Sequence, residues 1–253
     1  FHALCLEAYH LKGQYPEEGL LDSEFWMEEA PIGLLDALSN GSMKKWDAII
    51  VDEGQDFAPI WWEVVEECLK DKDQGSLVVF YDPFQDIFGR SACVPEWPMR
   101  FHLSLNFRNT RHITKGLKEL CPVQMEPHPE VPEGDPPIYH KQESKAFDQI
   151  EKIVSDLVEK QGVRADQITI LTPHSRQHSF LANKDSIAGI LLANDPLNRE
   201  NEILHTTIGK FKGLESDVVI VADMKIGDPL CGVEASYVAQ SRARHILYVL
   251  SKD

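Results

Sequence analysis

The sequence predicts an α/β fold with a mainly parallel sheet, and three observations carry this. Short apolar runs end in carboxylates, helical periodicity falls between them, and strand-like and helix-like segments alternate along the chain. The run Ala48–Val51 leads into Asp52 and Glu53, and a second at 77–81 leads into Asp82. Both read as buried parallel strands whose polar ends face a site. Between them APIWWEVVEECLK reads as a helix, with Trp61 and Trp62 as packing residues. Later, Phe147, Ile150, Ile153, Val154, Leu157 and Val158 recur at spacings of three and four, an amphipathic helix that Gly162 can end. Strands are then expected at 168–171, 217–223 and 245–250, with a helix between Glu234 and Arg244. The stretch 121–137 holds six prolines and no periodicity, so it is expected to be an irregular surface connection. A domain boundary is placed between Arg90 and Leu103, where both patterns lapse.

The 253 residues, 43% apolar and 26% charged, suit one large or two modest soluble domains. No run approaches the roughly 18 apolar residues of a membrane span, and FHALCLEAYH is not a signal peptide. A cytoplasmic protein without membrane partners is expected. The five cysteines are scattered and form no CxxC pair, which points away from a disulfide framework or a zinc site. The net charge of −16 excludes a protein that coats nucleic acid through a broadly basic surface. The imbalance is concentrated at −13 in residues 1–100, against −3 in the remainder. A polyanion is therefore expected in a local groove, lying on or shared with the second half.

Chemistry concentrates in IIVDEGQDF, 49–57. A hydrophobic strand that delivers Asp-Glu to its carboxyl end suits nucleotide hydrolysis: one carboxylate holds Mg²⁺, directly or through water, and its neighbour orients and deprotonates the attacking water.

DEGQDF resembles the DExQD motif II of UvrD/Rep-type superfamily 1 helicases, and further segments follow in that family's order. FHALC is similar to motif Ib, YDPFQDIFGR to motif III and LNFRNT to motif IV. ITILTPHSRQ is similar to motif IVa, TTIGKFKGLESDVVIV to motif V and ASYVAQSRARHILYVL to motif VI. The resemblance spans nearly the whole chain. It implies RecA-like sheets of the P-loop NTPase type: residues 1–100 as the later part of a first domain, with a small helical insert near 11–42, and 101–253 as a complete second domain.

The resemblance also implies roles. Asp52 would hold Mg²⁺, Glu53 would be the catalytic base, and Gln85 would sense the γ-phosphate of ATP or the attacking water. Arg108 and Arg242 would clamp the γ-phosphate, a task suited to a permanently charged, forked guanidinium. Glu215 would hydrogen-bond the ribose, with Gly213 letting the backbone approach closely. Single-stranded DNA, or its junction with duplex, would meet His2, Phe88 and Thr207. Arg244 carries no implied role and reads as a surface charge. Two positions depart from the family pattern: Arg90 stands where a base-stacking aromatic is usual, and Gly209 where motif V has His.

No segment reads GxxxxGK[ST]; IGKFKGL belongs to the motif V region and precedes a strand. A P-loop is accordingly expected upstream of Phe1 in a longer parent protein, for which an attached nuclease is a candidate partner, and this chain alone is expected to be inactive. The implied activity is ATP-driven movement on DNA in repair, recombination or defence. An RNA helicase of the same superfamily and a catalytically inactive scaffold are the alternatives.

Overall fold

A computed structural model describes residues 1–14, 24–87, 89–90, 93–97, 99–122, 124–142, 145–196 and 199–252. The chain divides into two compact units, Phe1–Arg100 and Phe101–Asp253.

In the first unit, helix α1 (His2–Leu11) packs on α2 (Ala30–Ser39), which a π-helical turn at Phe25–Glu29 precedes. The two helices approach closely at Gly33, where an added Cβ would lie 2.5 Å from the Tyr9 ring. Strands β1 (Ala48–Val51) and β2 (Ser76–Val79) pair in parallel, Ala48 opposite Ser76 and Val51 opposite Val79, joined through α3 (Pro59–Glu67). Pro59 opens α3 where its missing N–H costs nothing. The buried faces of the helices, Cys5, Ala8, Leu34, Ala37 and Val64, form one core. Val51, Trp62 and Val65 form a second core beneath the sheet, and Trp61 Nε1 donates to the Trp26 carbonyl at 2.9 Å. The expectation of buried strands is corrected here. Val51 is buried, but Ile50 is 71% and Val78 46% exposed, because the helices cover one face of the pair only.

The second unit is built on a seven-stranded sheet in the order β5-β11-β10-β6-β9-β8-β7. Its strands are β5 (Ile138–Lys141), β6 (Ile168–Thr172), β7 (Ser186–Ile187), β8 (Ile190–Ala193), β9 (Ile203–Thr207), β10 (Ser216–Met224) and β11 (Ala243–Ser251). All pairs are parallel except β7 with β8. Central β6 is buried along its whole length and β10 nearly so, which is why both read as continuous apolar runs. Helix α5 (Ala146–Ser155) continues as a π-helical turn, Asp156–Lys160, and ends near Gly162, whose φ is +69°. It lays Ile150, Val154 and Leu157 on a face that includes Ile168, Ile170, Val218 and Ile220. Helices α4 (Arg111–Leu120) and α6 (Val233–Ser241) pack together and against β11, and α6 also against β10. Among the described residues of the proline-rich stretch only Glu126–Pro127 forms a strand, β4, beside β3 (Leu105–Asn106). Among the described residues no helix is long and apolar enough to cross a membrane.

Candidate functional site

In the first unit, β1 ends at Asp52 and Glu53. The backbone of Glu53 turns into the left-handed region, φ +54°, a conformation that costs a non-glycine residue energy and recurs at functional positions. Asp52 is exposed; its Oδ1 accepts from the Glu53 N–H at 3.0 Å. Gly54 N–H donates to Phe80 O at 2.9 Å and Phe80 N–H to Val51 O at 2.8 Å, which laces the carboxyl ends of the two strands together. Position 54 must be glycine for steric reasons, since a Cβ would stand 2.7 Å from Val79 Cγ1.

A chain of hydrogen bonds runs across these strand ends. Gln55, fully buried, donates from Nε2 to Glu53 Oε2 and accepts at Oε1 from the Asp82 N–H at 3.0 Å. Asp82 Oδ1 accepts from Phe84 N–H at 2.9 Å, and Oδ2 accepts from Gln85 Nε2 at 3.0 Å. The structure therefore brings Glu53 and Gln85 into one network, through Gln55 of the DExQD-like segment and Asp82 at the polar end of β2.

The nearby aromatic cluster holds His2 edge-on to Trp26 (4.2 Å between ring centroids) and to Trp61 (5.0 Å). Burial first, with the charge of Arg90 adding to it, lowers the His2 pKa. Arg90 turns inward, with Nη1 on the Asp56 carbonyl at 3.0 Å and its guanidinium 5.4 Å from the Trp61 centroid. Trp61 and Trp62 are buried. Phe88 lies outside the described residues.

In the second unit, Asn106 Oδ1 accepts from the N–H groups of Arg108 (2.9 Å) and Asn109 (3.1 Å), closing the turn before α4. Asn109 Nδ2 donates to the carbonyls of Ser241 (3.0 Å) and Ala243 (2.6 Å), the two neighbours of Arg242. Arg242 is buried; Nε donates to Val238 O at 3.1 Å, Nη2 to Ser241 Oγ at 2.9 Å and Nη1 to Leu214 O at 3.4 Å. Arg108 Nε pairs with Glu215 Oε2 at 3.0 Å. Arg108 and Arg242 thus reach adjacent residues, Glu215 and Leu214, although Arg242 is buried.

Arg244 is the surface charge that the sequence suggested, but a paired one. It pairs with Glu215 Oε1 at 3.5 Å and Asp217 Oδ1 at 3.3 Å, so Glu215 stands between two guanidinium groups. Its neighbours in space come from β10 and the turn before it, which no local pattern reveals. Gly213 has φ +80° with open space where a Cβ would be, so within the chain the left-handed backbone, not crowding, selects glycine. Thr207 ends β9 and accepts at Oγ1 from the Lys210 N–H at 3.3 Å.

The carboxyl end of this sheet carries further polar contacts. His174 Nε2 pairs with Asp228 Oδ2 at 2.7 Å, and that bond, with the Leu230 N–H, holds the Asp228 carboxyl below its ordinary range. No group of three or more metal-ligating side chains is found among the described residues.

No protein-family profile and no characterised protein sequence matches the chain. Among solved structures it is similar to the C-terminal domain of a possible DNA helicase from Lactobacillus plantarum WCFS1, at 19% identity and a TM-score of 0.42 over 58% of this chain and 87% of that one. It is also similar to the helicase of PRRSV, at 15% identity and a TM-score of 0.45 over 80% of this chain. The chain spans 34% of that viral protein. Likenesses this distant assign no role to any residue here.

Proposed function

We propose that this chain is part of the motor of a UvrD/Rep-type superfamily 1 helicase or translocase, with RecA-like sheets, that couples ATP hydrolysis to movement on single-stranded DNA. The observation that carries the reading is the network Glu53–Gln55–Asp82–Gln85, because it joins the two segments that resemble motifs II and III at the carboxyl ends of paired parallel strands. In open α/β sheets that end is where ligands bind. The order of the remaining helicase-like segments supports it.

The chemistry of these residue types supports the reading. Asp52 is exposed and uses one carboxylate oxygen internally, which leaves the other for a hydrated Mg²⁺. Bound there, the ion would neutralise charge on phosphate oxygens. Glu53 takes the proton from water, and Gln85 orients that water or a terminal phosphate oxygen. Arg108 supplies a guanidinium group to the phosphate, with Glu215 on the ribose; Arg242, buried and bonded to Val238, Ser241 and Leu214, would have to turn outward to join it. His2, Phe88 and Thr207 contact the DNA. A junction with duplex, and a nuclease elsewhere in the parent protein, are partners consistent with this reading.

A phosphate cradle of the GxxxxGK[ST] kind is absent from the sequence, so the chain by itself is expected not to turn over ATP. DNA-stimulated hydrolysis on the order of 1 s⁻¹ by the isolated chain would contradict this. In the full-length protein, Glu53→Gln is expected to preserve ATP binding and abolish turnover, because an amide cannot accept the proton. Normal turnover in that variant would overturn the assignment.

A further inference from the structure

We infer that Gln55 is a positioning residue: its amide fixes the Glu53 carboxylate and ties it, through Asp82, to Gln85. This rests on the catalytic reading of Glu53 above and goes beyond it, since that reading uses the network to join two segments and gives Gln55 no task in the chemical step.

The side chain is fully buried and both ends of its amide are engaged. An amide alone among side chains of this length donates to a carboxylate and accepts from a backbone N–H at once. Methionine would do neither, and glutamate would set a second carboxylate against Glu53. The framework leaves the amide little freedom. Gly54 is hydrogen-bonded to Phe80 and has no room for a Cβ, and Phe80 is hydrogen-bonded to Val51, so the two strand ends keep a set separation that the amide spans.

The left-handed backbone of Glu53 directs its side chain away from the line of β1, and Gln55 receives it there. Asp82 continues the connection: its N–H is held by Gln55 while its carboxylate holds both Gln85 Nε2 and the Phe84 N–H. A shift of Gln85 on contact with a ligand is thereby conveyed to the orientation of Glu53. Gln55 need not touch nucleotide to matter for the chemical step.

The test uses the full-length protein with MgATP and oligodeoxythymidylate. Gln55→Met, similar in length and without hydrogen bonds, is expected to lower kcat by about 10–100-fold, as loss of a partner that orients a reacting group does. KM should stay within about twofold, because ground-state binding is untouched. Unchanged kcat overturns the inference, as does a matched rise in KM with a lower melting temperature, the signature of a purely structural role. NMR of the chain gives a readout independent of activity: the Gln55 side-chain amide protons should exchange slowly with solvent and shift in Glu53→Gln. Fast-exchanging signals that do not move in that variant would also overturn it. Normal turnover by Glu53→Gln would instead defeat the reading of Glu53 itself.

Discussion

Acid should destabilise the second unit through one buried histidine. His205, on β9 and 3% exposed, bonds through Nε2 to Thr172 Oγ1 at 2.9 Å. The Thr172 hydroxyl already donates to the His174 carbonyl at 2.7 Å, so its oxygen accepts and His205 Nε2 carries the proton. A second proton would have to enter at Nδ1, creating a buried charge. Burial first, and the charge of Arg176 second, push the pKa from its ordinary 6.5 down to about 4.

Because the folded value is depressed, the unfolded chain takes up this proton first as the pH falls. The stabilisation is complete above the unfolded value of 6.5 and drains away toward 4. At about 1.36 kcal/mol per pH unit the total comes to roughly 3 kcal/mol, of which about 1.4 kcal/mol is already lost at pH 5.5. Asp228, held below its ordinary range, contributes only at more acid pH.

Urea unfolding at about pH 7.5 and 5.5, with hydrogen exchange at the amides of β6 and β9, measures the effect. The comparison is His205→Gln, which still donates to Thr172 and cannot become charged. It should show about 1 kcal/mol less loss between the two pH values than the parent chain. Equal losses in both proteins would refute the reasoning.

Asp223 is buried at φ +60° and accepts from Gln142 Nε2 (2.6 Å), the Phe180 N–H (2.8 Å) and Lys252 Nζ (3.0 Å), so Asp223→Ala should cost on the order of 3 kcal/mol in urea unfolding and Asp223→Asn less. A cost below about 1 kcal/mol for the alanine would show that these donors find other acceptors. Asn109→Ala removes the donor to both carbonyls that flank Arg242 and should lower stability by about 1–3 kcal/mol, again by urea unfolding. An unchanged midpoint would mean that the two carbonyls are satisfied without it.

What the sequence determined by itself was the set of elements whose signal is local. Strands β6 and β10 were legible because a strand buried on both faces must be apolar throughout, β11 because its later residues 246–250 form an apolar run, and α5 because one buried face imposes a spacing of three and four. Strand β9 escaped notice, since polar His205, Thr206 and Thr207 interrupt its run, although His205 is satisfied by Thr172 on β6. The half-open state of β1 and β2 was also hidden, because an apolar run records suitability for burial and not which neighbours arrive to cover it.

The candidate site divides in the same way. Asp52 and Glu53 announce themselves as adjacent acids at a strand end, whereas the parts of Gln55, Asp82, Asn109 and Arg244 depend on partners distant in sequence. Gln55 meets Asp82 from across the sheet, and Asn109 meets Ser241 and Ala243 only after α4 and α6 have packed together. A hydrogen bond needs donor and acceptor within about 3 Å and aligned, a condition that residue type permits and only the folded backbone imposes.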